Sequence, residues 1–182
     1  AHEVAESVAC LNGEGPEDTM QLVRMQGAAL GADVDAVIAD GSAKQAFAAM
    51  CTRQGVDENT VASLLEDPWS VLPRGRTRTT VTAASAGWVS DIDALALGRF
   101  LVSIGAGRTH PADMLDLGAG IELAAKVGDH VEVGDVLFHV DHNQSGPLPD
   151  VSGAFLIDGH VQAHAPLSRL LETVNIDDVL RT

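Results

Sequence analysis

Positive charge is scarce in this chain. Lysine and arginine together number 11 against 26 aspartates and glutamates, a net charge of −15 at neutral pH. Such a surface repels phosphate backbones, which excludes nucleic acid as a partner class. It also repels small anions unless a local cationic cluster intervenes. The lysines are Lys44 and Lys126, and Arg74, Arg76 and Arg78 crowd one short stretch. Cysteine is scarce as well: Cys10 and Cys51 each sit among apolar neighbours on an expected helix. Two free, buried thiols fit a reducing compartment, so a cytoplasmic protein is expected. No apolar run approaches the ~18 residues of a membrane span, so no membrane partner is expected. No basic-then-apolar leader opens the chain either. The first residue is Ala1, and Ala1-His2-Glu3-Val4 already reads as helix, so the expectation is of a chain that starts inside a longer protein.

What is present reads in two parts. Val4, Val8 and Leu11 recur at helical spacing, and Asn12-Gly13 ends that first helix. Pro16 with Glu17 and Asp18 opens a second, which stops at Gly31. Val34, Val37 and Ile38 mark a short third helix. Ser42 is the expected cap of a fourth, with Phe47, Met50 and Cys51 inward. Asp57 opens a fifth carrying Val61, Leu64 and Leu65, and Pro68 terminates it. The character changes near residue 73, where Pro73-Arg74-Gly75-Arg76 reads as a linker.

Beyond the linker, residues 77–84 alternate with β-branched positions and predict a strand, which Gly87-Trp88-Val89 resumes after a turn. Ser90 or Asp91 is the expected cap of a helix bearing Leu95, Leu97, Phe100, Leu101 and Ile104, and Gly105 stops it. Short strands with glycine turns follow over 114–141, then a loop over 143–150 and a strand over 154–157. Residues 166–174 read as a short helix or a strand pair. The class expected is α+β. A helical segment over 1–72, part of a larger α/β domain, precedes an α+β domain over 73–182.

The run KVGDHVEVGDVLFHV at 126–140 places Gly128-Asp129 and Gly134-Asp135 as turn pairs between strand residues, the pattern of a β-hammerhead-like glycine-rich sheet. Biotinyl and lipoyl carrier domains share that pattern. A carrier needs a lysine at the hairpin tip, and Asp141-His142-Asn143-Gln144 stands there instead. His139, Asp141 and His142 suggest a metal trio, but strand alternation sets 139 and 141 on one face and 142 on the other. His160 and His164 are four apart, yet Gly159 and Pro166 oppose a helix that would align them as zinc ligands. Asp113 and Asp116, near a glycine-rich turn, suit acceptance of backbone N–H bonds better than acid–base work. Arg108 follows a helix end and is placed to pair with either.

Several strings act jointly: AHEVAESVACLNGEGPEDTM at 1–20, GWVSDIDALALGRF at 87–100, IGAGR at 104–108, DMLD at 113–116, GAGIEL at 118–123 and KVGDHVEVGD at 126–135. Together they resemble the pyrimidine-nucleoside phosphorylases, the family that includes thymidine phosphorylase, over nearly the whole chain. His2 and Thr19 stand where that family commonly has apolar residues, and the loop 144–150 replaces a frequent helix. The resemblance implies reversible phosphorolysis of pyrimidine nucleosides by phosphate. It implies that the phosphate-holding Lys-x-Ser-x-Gly-Gly loop and the base-holding residues lie upstream, so no catalytic residue is expected in this chain. It also implies one metal ligand, Glu6, for a monovalent cation such as potassium in the full-length enzyme, with no other cofactor. The partners implied are the nucleoside and phosphate, the missing N-terminal part of the same protein, and a second copy in a homodimer. A stand-alone binding or scaffold module is the rival expectation, and a carrier domain the least favoured.

Overall fold

The structure is a computed structural model and describes residues 1–159. The expected helix or strand pair at 166–174 and the pair His160 and His164 lie outside the described residues.

Five helices come first. Helix α1 (His2–Leu11) buries Val8 and ends where Gly13 takes a φ of 77°. Helix α2 (Glu17–Ala29) follows Pro16, keeps Glu17 and Asp18 in its first turn, and buries Met20. Helix α3 (Val34–Ala39) is capped by Asp33, which accepts the Ala36 N–H at 3.1 Å. Helix α4 (Ser42–Arg53) corrects two expectations. Ser42 is its first residue and not its cap. Gly41 makes the turn at a φ of 77°, and Asp40 accepts the Ser42 N–H at 2.8 Å. Met50 faces outward, 42% exposed. Helix α5 (Glu58–Glu66) is capped by Asp57, whose carboxylate takes the Thr60 N–H at 2.9 Å, and it buries Val61 and Leu64. Pro68 does not simply end the helix. It opens a 3-10 turn (Pro68–Ser70), with Asp67 accepting the Trp69 N–H at 3.0 Å. Proline tolerates such a first position because its missing N–H would be unpaired anyway.

The second part holds strands β1 (Thr77–Thr82) and β2 (Gly87–Ile92), helix α6 (Ala94–Ser103), and strands β3 (Gly120–Leu123), β4 (His130–Val131), β5 (Val136–His142) and β6 (Phe155–Asp158). Two three-stranded antiparallel sheets result, in the orders β1-β5-β3 and β4-β2-β6. The fold is thus α+β. The cap of α6 is Asp93, which accepts the Ala96 N–H at 2.9 Å. Ser90 and Asp91 belong to β2, because that strand continues to Ile92 in pairing with Phe155. The two Gly-Asp pairs are built alike. Gly128 and Gly134 have φ of 96° and 94°, and Asp129 and Asp135 each accept an N–H three residues back at 2.8 Å. Glycine is required there because positive φ costs other residues steric energy.

The main apolar core joins both sheets and α6. Phe138 is fully buried and stacks on Phe155 with centroids 5.4 Å apart, and Leu97, Phe100 and Ile104 close the core from α6. Val8, Met20, Val61 and Leu64 are buried among the helices and are not members of that cluster.

Candidate functional site

Strand alternation along β5 sends Asp141 and His142 to opposite faces. Asp141 pairs in register with Arg78 on β1 and with Gly120 on β3, so its carboxylate stands over the face that meets α1. It is only 2% exposed. His2 Nε2 lies 2.9 Å from Asp141 Oδ2, which fixes the proton on that nitrogen. Arg78 Nε lies 3.3 Å from Oδ1, and Arg74 Nε 3.8 Å from Oδ2. Arg78 also pairs with Glu122. Trp69 completes the cluster: the Arg74 guanidinium sits 4.0 Å over its ring, and the His2 ring meets it edge-on at 5.1 Å. Burying a carboxylate is tolerated only when it is paired and hydrogen-bonded, and three groups from three parts of the chain meet that condition.

Two glycines make the approach possible. A β-carbon on Gly120 would collide with the His2 ring, and one on Gly75 with the backbone of His142. The linker therefore lies directly on the sheet, with the Gly75 N–H bonded to the Gly118 carbonyl at 3.0 Å.

On the other face of β5 an open cleft of about 600 Å³ lies between β1, α6 and the loop 144–152. His142 lines it, 4% exposed, with Nε2 3.0 Å from Thr79 Oγ1. On its rim, hydrogen bonds from Ser152 hold the Asp150 carboxyl below its ordinary range.

The remaining sequence-derived candidates are distributed differently. Glu6 is exposed on α1, and no group of three His, Cys, Asp or Glu able to hold a metal occurs among the described residues. One carboxylate oxygen suits a hard cation, but the described residues do not by themselves complete a coordination shell. Asp113 accepts the Thr109 and His110 N–H groups at 2.9 and 2.8 Å and the Thr109 hydroxyl at 2.8 Å. These bonds, the one from His110 foremost, lower its pKa. Asp116 accepts the Gly118 N–H at 3.1 Å and the Asn143 amide at 3.0 Å. Arg108 forms no ion pair with either aspartate among the described residues. His139 Nδ1 is 3.0 Å from Thr80 Oγ1, on the opposite face from His142. The thiols of Cys10 and Cys51 are free but half-buried, not fully buried as expected. Burial, and then the charge of Glu6, push the Cys10 thiol up. Lys126 pairs with Asp18 at 3.6 Å and sits before β4, away from any hairpin tip after β5.

Sequence reasoning missed the Asp141 cluster. The three arginines at 74, 76 and 78 read as a linker feature, and Asp141 was weighed only as a metal ligand. The signal available was the alternation itself, which put an acidic residue near the end of a strand whose earlier residues are largely apolar.

The comparisons with known proteins agree with the motifs. Residues 88–154 match the family model described as the pyrimidine nucleoside phosphorylase C-terminal domain. A pyrimidine-nucleoside phosphorylase of Bacillus subtilis is 33% identical, covering 96% of this chain and 42% of that protein. A thymidine phosphorylase of Mycobacterium tuberculosis is 37% identical over 76% of this chain and 32% of that protein. Human thymidine phosphorylase is 34% identical over 81% of this chain and 34% of that protein. The chain spans less than half the length of these curated relatives. The chain is similar to the pyrimidine-nucleoside phosphorylases, and its residues 88–154 match their C-terminal domain.

Proposed function

We propose that this chain serves as the C-terminal portion of a pyrimidine-nucleoside phosphorylase. Such an enzyme, a pentosyltransferase, breaks the bond between base and sugar and joins the sugar to phosphate. The products are a free pyrimidine and (deoxy)ribose 1-phosphate, and the reaction is reversible. The observation that carries the reading is the match of 88–154 to the family's C-terminal domain, in a chain that aligns to 42% of a phosphorylase from Bacillus subtilis.

In this reading the chain contributes no catalytic residue. Phosphate capture needs converging N–H donors or a cationic clamp. Arg74 and Arg78 are committed to Asp141 and Glu122, and Lys126 to Asp18. The chain divides into a helical unit over 1–72 and an α+β unit from 73, whose glycine-turn sheets form a β-hammerhead. Val4, Val23, Met50 and Val56 leave apolar surface on the helical unit for the rest of the protein to cover. Glu6 contributes one oxygen to a monovalent-cation site whose other ligands come from that remainder. No further cofactor is involved, and the complete enzyme is a cytoplasmic homodimer.

The test is complementation. The upstream part of the reading frame is produced separately and mixed with this chain. Co-purification with recovery of phosphate-dependent thymidine or uridine cleavage supports the proposal. Failure to associate, with this chain stable and monodisperse alone, favours a stand-alone scaffold module.

A further inference from the structure

We infer that Asp141 is a positioning residue, a latch whose carboxylate holds the N-terminal helices on the sheet layer. The argument begins with what does not hold them. The apolar cluster at the centre of the molecule draws its buried members from residues 83–155, and the buried residues of the helices stand outside it. Of the five N-terminal helices, α1 makes the main contact with a strand, against β3. At that contact the chemistry is polar. His2 from α1, Arg74 from the linker and Arg78 from β1 converge on one carboxylate that is 2% exposed. Trp69 is fastened to the same point through both His2 and Arg74. Gly120 and Gly75 leave no side chain between the surfaces. A second ion pair, Lys126 to Asp18, bridges α2 to the sheet layer, but both its side chains are substantially exposed, so it contributes little.

A seam closed by one buried charge differs from a seam closed by apolar area. Removing the carboxylate charge takes the shared partner from His2, Arg74 and Arg78. The arginines are partly solvated and Arg78 keeps Glu122, so the loss falls chiefly on the half-buried His2 contact that ties α1 to the sheet. The apolar core keeps its members. Loss of the charge therefore releases the helices locally, in the manner of a sub-global opening, without unfolding the sheets. A polar, glycine-lined joint is also the kind that permits relative motion of the parts it joins. This inference rests on the geometry of the chain alone and does not require the phosphorolysis reading.

The test uses the full chain with Trp88→Phe, which leaves Trp69 as its tryptophan. Asp141→Asn and His2→Ala are compared by acrylamide quenching of Trp69 and by amide hydrogen exchange. Asp141→Asn should raise Trp69 quenching about twofold and speed exchange in α1 about tenfold, while β2 and β5 keep their protection. His2→Ala alters no strand residue, so it covers the case in which Asp141→Asn fails to fold, and it should loosen α1 in the same way. Adding it to Asp141→Asn should change little more, because both act on one contact. Unchanged Trp69 and α1 in both variants would overturn the inference. So would simultaneous loss of protection in α1 and the strands, since Asp141 would then be an ordinary element of the core.

Discussion

A β-carbon on Gly120 would collide with the imidazole of His2, the ring that carries the hydrogen bond to Asp141. The residue beside Asp141 on β3 must therefore be glycine for α1 to lie on the sheet. Gly120→Ala should lower stability by about 1–3 kcal/mol through overpacking. Gly98 is the contrast: it lies inside α6 and a β-carbon there meets nothing within 4 Å. Gly98→Ala should raise stability by about 0.5–1 kcal/mol, by reducing the freedom of the unfolded chain. Urea unfolding midpoints of the two variants should move in opposite directions.

Phe138 is fully buried and stacked on Phe155. Phe138→Ala should cost about 3–5 kcal/mol, the transfer term plus the cavity left behind. Equilibrium denaturation monitored by Trp88, on the neighbouring sheet, should show the loss directly. A cost below about 1 kcal/mol would mean that the site collapses around the smaller residue.

Asp113 organises the turn after α6 by accepting two backbone N–H groups and one hydroxyl, and these bonds hold its pKa below the usual value. A depressed carboxylate pKa stabilises the fold at pH above its unfolded value, about 3.9. The contribution is lost as pH falls through the lower, folded value. Amide exchange at Thr109 and His110 should therefore lose protection, beyond the intrinsic pH effect, only below about pH 4. Asp113→Asn should remove that pH dependence.

The Cys10 thiol is raised first by burial and second by the charge of Glu6, one turn earlier on α1. Glu6→Gln removes only the second cause, so the thiol pKa should fall. In a Cys51→Ser background, alkylation of Cys10 at fixed mildly alkaline pH should be faster in Glu6→Gln, because the thiolate is the nucleophile. An unchanged rate would mean that the Glu6 charge does not reach the thiol.

Much of this fold could be read from local chemistry. Asp57 and Gly105 bound their helices as the sequence implies, because caps and positive-φ turns act within a few residues. Ser42, Ser90 and Asp91 misled because several polar residues compete at a helix start. The winner was decided elsewhere, by Asp40 in one case and by the pairing of β2 with Phe155 in the other. Met50 has helical spacing for an inward position but stays 42% exposed among the described residues. Asp141 was the least legible residue. Its partners His2, Arg74 and Arg78 lie far away in sequence. The register of β1 on β5 sets Arg78 beside it, and that of β3 sets Gly120, on which His2 packs.

The proposed function, with Arg74, Arg78 and Lys126 paired to carboxylates, makes one claim central: that catalysis requires more than this chain. The direct measurement is release of thymine or uracil from thymidine or uridine with phosphate. It would be run on this chain alone and on the protein from its complete reading frame. The account predicts phosphorolysis by the complete protein and none by the chain alone. Phosphorolysis by the purified chain, or none by either protein, would contradict it.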